Sequence, residues 1–127
     1  MKLYNLFEEV ILEAVTRDKV IKAIDGKYRV NIYYQGEDEN FAAKRTIDVY
    51  ALGLSTSGNL IIRAYQAFGA TTTEIPKWKF FRLDRIEKWE PTNYKFYKPI
   101  SDYDPSIPTF NRAGDNAMST VYNIAKF

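Results

Sequence analysis

Two acidic clusters, Glu8-Glu9 and Glu37-Asp38-Glu39, are the first places where residue type and spacing suggest chemistry. Paired carboxylates do acid–base work only when they converge on one point, and neighbours on a helix or in a turn point apart. A calcium loop needs the alternating ligands and Gly of Asp-x-Asp-x-Asp-Gly, a pattern that Glu37-Asp38-Glu39 lacks. The chain has no His and no Cys. This removes Cys/His zinc sites, thiol nucleophiles, disulfides, and the Ser-His-Asp and Cys-His triads together. No Gly-rich phosphate loop is present. The expectation is a chain that is not an enzyme, holds no metal or cofactor, and works by binding.

The chemistry left over belongs to cations and aromatic rings. Net charge is only +2, but residues 41–98 carry 10 basic against 5 acidic side chains, a local +5. That excess forms either a basic patch or an ordinary solvated surface of mixed charge. Aromatic residues reach 16 %, with ten Tyr and eight Phe, which points toward strands, an aromatic-lined surface, or both.

The elements that position these groups can be read from hydrophobic period. Leu3, Leu6, Phe7, Val10, Ile11 and Ala14 follow helical spacing and predict an amphipathic helix, which packs either on its own domain or on a partner. A second helix is expected from Arg17 to Ile24, with Thr16 as N-cap and Gly26 just past its end. From Tyr28 the period becomes two, predicting a first strand over Tyr28–Tyr34. A polar turn over Gln35–Asn40 leads to a second strand, Lys44–Leu54, in which Gly53 marks a possible bulge. The turn Ser55–Asn59 precedes a third strand, Leu60–Tyr65. Residues Gln66–Lys77 read as a long irregular connection, and such loops are often functional. A fourth strand, Trp78–Leu83, a tight turn at Asp84-Arg85-Ile86 and a short fifth strand, Glu87–Glu90, ended by Pro91, complete the set. Beyond Pro91, the spacing of Pro99, Pro105 and Pro108 among Tyr94, Phe96, Tyr97, Tyr103 and Phe110 predicts an extended arm along the chain's own surface or a neighbour's. Met118–Ile124 adds either an edge strand or a short helix.

The segments Arg45-Thr46-Ile47, Leu60-Ile61-Ile62-Arg63-Ala64-Tyr65 and Phe81-Arg82-Leu83-Asp84-Arg85-Ile86 resemble the WYL domain in order and spacing over about residues 27–90. In that family an Arg-x-Ile strand is followed by one that typically reads Trp-Tyr-Leu-x-Ala-Tyr, then by a segment ending Phe-x-Leu-Asp-Arg-Ile. Leu60-Ile61-Ile62 stands here in place of Trp-Tyr-Leu, and Val49 in place of the usual Pro. The resemblance implies a small SH3/Sm-like β-barrel that binds ligands, often nucleic acid, in regulators and defence-associated proteins. About 26 residues precede the first strand, too few for the helix-turn-helix domain that commonly accompanies the barrel. Leu3–Ile11 and Gly114–Met118 resemble short stand-alone WYL-like proteins of tailed phages.

Carried onto this chain, the resemblance makes Arg45, Arg63, Arg82 and Arg85 ligand contacts, with Tyr65, Trp78 and Phe80 as stacking faces beside them. Guanidinium forks suit phosphate oxygens, and aromatic faces stack on bases. The competing role for Asp84-Arg85 is structural, with Asp84 capping backbone donors and Arg85 paired to an acid such as Asp48. For Trp78, Phe80 and Phe81, strand alternation sends at least one ring into the core.

The expected fold is mainly β with N-terminal helices (α+β): a helical segment over 1–26, a barrel over 27–91 and an arm over 92–127. Expected partners are single-stranded nucleic acid or a nucleotide-like ligand. The alternative is an oligomer, virion component or inhibitor of a host factor, docking through the N-terminal helix and the arm. No apolar run approaches the ~20 residues of a membrane span, and Glu8 and Glu9 interrupt any signal peptide. The expected location is the cytoplasm, or the host cytoplasm or virion if the chain is phage-encoded.

Overall fold

The computed structural model describes residues 15–36, 39–69, 78–100 and 118–127. The helix expected over Leu3–Ala14, most of the Gln66–Lys77 connection and residues 101–117 of the arm lie outside the described residues. Those described form one helix and one antiparallel sheet, an α+β arrangement that is mainly strand. Among the described residues, no helix is long and apolar enough to cross a membrane.

Helix α1 spans Arg17–Gly26. Thr16, in extended conformation, caps it: its hydroxyl accepts from the Lys19 amide at 3.2 Å. Val20, Ala23 and Ile24 recur at helical spacing and are buried. Gly26 was expected just past the helix end; it lies in the last turn instead. The left-handed position belongs to Lys27 (φ 56°), whose N–H reaches the Ala23 and Ile24 carbonyls. Gly26 has a different reason to be small, because a Cβ there would strike the ring of Tyr28.

The sheet contains β1 (Tyr28–Tyr34), β2 (Ala43–Ser55), β3 (Leu60–Gly69), β4 (Trp78–Arg82), β5 (Ile86–Lys95) and β6 (Met118–Ile124). Their order is β4-β3-β2-β1-β5, with β6 also paired to β2. The 13-residue β2 organises everything. One edge runs along β3, while the other pairs with β1 over residues 43–48 and with β6 over 51–55. Leu52/Gly53 is a register irregularity against β6, and a Cβ on Gly53 would strike the Thr120 carbonyl. A second irregularity, between Val49 and Ala51 against β3, makes Tyr50 the extra residue.

Several boundaries differ from the sequence reading. β3 continues through Gln66–Gly69, so the irregular connection starts later. The turn after β4 is a single 3₁₀ turn over Leu83–Arg85, and Ile86 already belongs to β5. β5 does not stop at Pro91; it continues to Lys95 and so crosses the 91/92 boundary. Proline is tolerated because β5 is at the end of the strand path and Pro91 stands opposite Val30 at a register shift. The described residues beyond β5 fold back onto the same chain. Phe96 N–H donates to the Lys27 carbonyl, Ile100 N–H to the Tyr50 hydroxyl, and Ala125 N–H to the Tyr50 carbonyl. Met118–Ile124 is a strand, one of its two expected forms.

Alternation gives the sheet two unlike faces. Val30, Ile32, Ile47, Val49, Leu52, Ile62, Ala64 and Phe81 point inward and join Val20 and Ile24 of α1 in the main core. Full burial of each large apolar side chain contributes about 1.5–3 kcal/mol. The sheet curls enough for the end of β1 to touch the end of β4. The Tyr34 and Phe81 rings meet edge-on at 4.8 Å, and the Tyr34 hydroxyl accepts from Arg82 N–H at 3.1 Å. No ladder joins β4 to β5 among the described residues, so the sheet is open rather than closed on itself.

Candidate functional site

Cross-strand partners share a face, so register alone sorts the candidate residues. Arg63 pairs with Phe80, Tyr65 with Trp78, and Ile61 with Arg82 across β3 and β4. The five polar or aromatic side chains among these therefore lie together on the outer face. Arg63 stacks its guanidinium over the Phe80 ring at 3.2 Å, and Tyr65 meets Trp78 edge-on at 5.2 Å. All four are half-buried.

The same face continues across the sheet. Tyr65 stands opposite Asp48 on β2, and Asp48 opposite Arg29 on β1. Arg29 donates to both Asp48 oxygens, Nε to Oδ1 at 2.9 Å and Nη2 to Oδ2 at 3.1 Å. This two-pronged bond is the leading cause that raises the Arg29 pKa above its usual value, against a smaller lowering by burial. The guanidinium lies 4.1 Å from the Tyr94 ring of β5 and 5.7 Å from the Phe68 ring of β3. Tyr94 and Phe68 are 55 % and 65 % exposed, so these rings face water rather than core. Tyr94, Arg29, Asp48, Tyr65 and Trp78 thus make one row that crosses β5, β1, β2, β3 and β4. Beside it, Thr46 donates to Asn31 at 2.7 Å, and Lys88 of β5 sits 5.3 Å from the Tyr33 ring.

At one end the row is anchored by a second, smaller packing centre. Tyr50, displaced outward by the bulge, is 1 % exposed. It meets Trp78 at 4.8 Å, Phe96 at 5.3 Å and Phe127 at 5.8 Å. Trp78 is therefore held edge-on from two sides, which fixes its ring plane.

The remaining candidates go elsewhere. Arg45 shares its parity with Ile47 and Val49 and points inward, only 6 % exposed. It pairs with Glu39, lies 3.5 Å from Gln66 Oε1, and sits 5.2 Å and 5.6 Å from the Tyr34 and Phe81 rings. Its Nε has no hydrogen-bond partner among the described residues. Lys79, on the same inner side by its pairing with Ala64, has its pKa lowered by burial first and by Arg45 second. Arg82 is clamped by Asp84, Nε to Oδ1 at 3.0 Å and Nη2 to Oδ2 at 2.6 Å, and reaches Asn59 Oδ1 at 3.4 Å. Asp84 thus serves an arginine two residues back rather than backbone donors. Arg85 is half-buried in the 3₁₀ turn, and the acid suggested for it, Asp48, is taken by Arg29. The Phe pair splits as alternation requires, with Phe81 in the core and Phe80 outside.

Arg29, Phe68 and Tyr94 were not among the candidates. Arg29 alternates against Val30 and Ile32, so its outward direction was legible. Its importance depends on rings supplied by β3 and β5, which no local pattern announces.

Two clefts flank α1. One, about 540 Å³, lies between Thr16, Arg17 and the residues around Asn59, Leu83 and Asp84. The other, about 600 Å³, lies between Lys19, Lys22, Tyr28, Trp89 and Thr92. Neither is lined by Arg45, Arg63, Tyr65, Trp78, Arg82 or Arg85. Among the described residues no group of three or more acidic side chains is placed to hold a metal ion. Comparison with protein-family models, curated proteins and solved structures finds no match for the chain.

Proposed function

We propose that this chain is a WYL-like, non-enzymatic binding protein whose outer sheet face takes nucleic acid or a nucleotide-like ligand, in the setting of a phage-encoded accessory factor. On this reading the curled sheet, with its 3₁₀ turn between β4 and β5, is an SH3/Sm-like barrel. The observation that carries the proposal is the gathering of Arg63, Tyr65, Trp78, Phe80 and Arg82 on one face of β3 and β4. Stacking surfaces next to fixed guanidinium groups are what base and phosphate recognition require. Arg45 has a structural role in this account, as the buried partner of Glu39.

Titration of fluorescein-labelled single-stranded DNA and RNA by fluorescence polarisation tests it. Binding should be measurable at low salt and weaken linearly on a log–log plot as salt rises. Absence of binding in low salt would reject it.

A second reading, an interaction or structural protein, is favoured by Phe41 and Tyr97, which are 78 % and 75 % exposed. Light scattering at micromolar concentration separates self-association from a monomer.

A further inference from the structure

We infer that the ligand of the outer face is a single strand of nucleic acid lying across the β-strands, and that Arg29, Phe68 and Tyr94 form the half of its site not carried by β3 and β4. The inference rests on the nucleic-acid reading above and narrows it from a mononucleotide to a strand of several nucleotides.

The first argument is shape. Small molecules are held in concave sites that bury most of their surface. The two clefts beside α1 are concave, yet Tyr94, Arg29, Tyr65 and Trp78 line neither of them. The row runs along the outer face of the sheet, exposed at its Tyr94 end and packed against Tyr50 at its Trp78 end. Five strands at their usual separation make a track about 19 Å long, measured along the sheet. That exceeds one nucleotide and suits a short run of bases, on the scale of other single-strand platforms.

The second argument is the repeat of one device along that track. At one end Arg63 lies over Phe80; toward the other, Arg29 lies between Tyr94 and Phe68. Each unit offers a flat surface for a base and a cation for the adjoining phosphate: the Arg63 guanidinium plane lies over Phe80, and the exposed Tyr94 and Phe68 rings lie beside Arg29. Arg29 spends its Nε and Nη2 edge on Asp48, which holds the guanidinium plane in place. Tyr94 and Phe68 are more exposed than core packing permits, although each ring lies within cation–π reach of Arg29. Their exposure at that spot leaves ring surface for a ligand.

The third argument is charge. Lys44 and Lys88 flank the Arg29 unit through their pairing with Tyr33, while Arg82, two residues along β4 from Phe80, flanks the other. Asp48 and Asp84 are each held by an arginine, and Glu90, opposite Asn31 on the same face, has Lys88 two residues before it on β5. A polyanion crossing the strands therefore meets lysine or arginine at both ends of its path.

The test is a competition series. Thymidine monophosphate and oligodeoxythymidylates of two, four, eight and twelve nucleotides displace a labelled twelve-nucleotide strand from the full chain. Affinity should climb with length until the row is spanned and then level off. Tyr94→Ala and Phe68→Ala, both at exposed positions, should keep the wild-type melting temperature and weaken the eight-nucleotide strand about tenfold each. They should leave the dinucleotide within twofold. Equal competition by the monophosphate and the eight-nucleotide strand overturns the inference while the nucleic-acid reading stands. So does unchanged affinity of both variants when Arg63→Gln loses binding. If no strand of any length binds, both are rejected.

Discussion

Two arginine–carboxylate pairs sit on opposite faces of the same sheet, and they do different work. Arg45 and Glu39 meet on the inner side, with side chains 8 % and 23 % exposed, between the Tyr34 and Phe81 rings. Arg29 and Asp48 meet on the outer side, at 19 % and 6 %, between the Tyr94 and Phe68 rings. Both arginines are flanked by two aromatics and one acid. The inner one is buried, and its Nε has no hydrogen-bond partner among the described residues. The outer one is wedged between rings that still see water. Composition and neighbours are alike; position relative to the sheet decides which pair is structural and which faces outward.

Substitutions can break this comparison from either side. The largest effect is expected in the wall of the inner pair. Phe81→Ala should destabilise by about 3–5 kcal/mol, as large-to-small changes in cores do, and urea unfolding measures it. Glu39→Gln comes next, at about 2 kcal/mol. It leaves Arg45 charged against aromatic walls, but Glu39 reaches solvent enough to keep the loss below that of a fully buried pair. Adding Arg45→Met should restore most of that stability, because an apolar side chain of similar length suits the site. If the double variant is no better than Glu39→Gln alone, the inner pair does not act as an isolated unit.

The outer pair should be cheaper to disturb. Asp48→Asn still accepts one hydrogen bond from Arg29 and is expected to cost about 1 kcal/mol, with a larger relative effect on strand binding than on the melting temperature. Equal losses from Asp48→Asn and Glu39→Gln in urea would erase the distinction between the faces. The smallest effect concerns Lys79. Its pKa in the folded state is below the usual lysine value, so between the two the unfolded chain binds more protons and stability rises with pH. Lys79→Met should remove that rise, seen as a difference between variant and parent melting temperatures that shrinks as pH climbs toward the ordinary lysine value of about 10.5.

Much of the fold was legible in the sequence. Thr16 capping α1 and the alternation of Tyr28–Tyr34 are local signals, and local physics decided both. The parity that set Arg45 with Ile47 and Val49 also carried its inward direction. Pro91 misled because a proline stops a central strand, and only the sheet order shows that β5 is at the end of the path. Gly26 misled for a related reason: the position next to it, Lys27, accepts the left-handed geometry, and Gly26 answers to a ring two residues on. The row across five strands was out of reach, since it joins side chains from Arg29 to Tyr94 that meet only through non-local pairing.

The division of β2 between β1 and β6 also governs how fast the molecule assembles. β1 is a short hairpin away from β2, whereas Ser119 reaches the Leu54 carbonyl across 65 residues of chain. Loop closure over that distance is slow compared with hairpin formation. The β1–β2–β3 meander should therefore form first, with the outward edge of residues 51–55 waiting for its late partner. Until β6 arrives, that edge is a bare row of amide and carbonyl groups able to pair with another copy. Refolding yield should fall with protein concentration for this reason, and amides of β6 should exchange with solvent before those shared by β1 and β2.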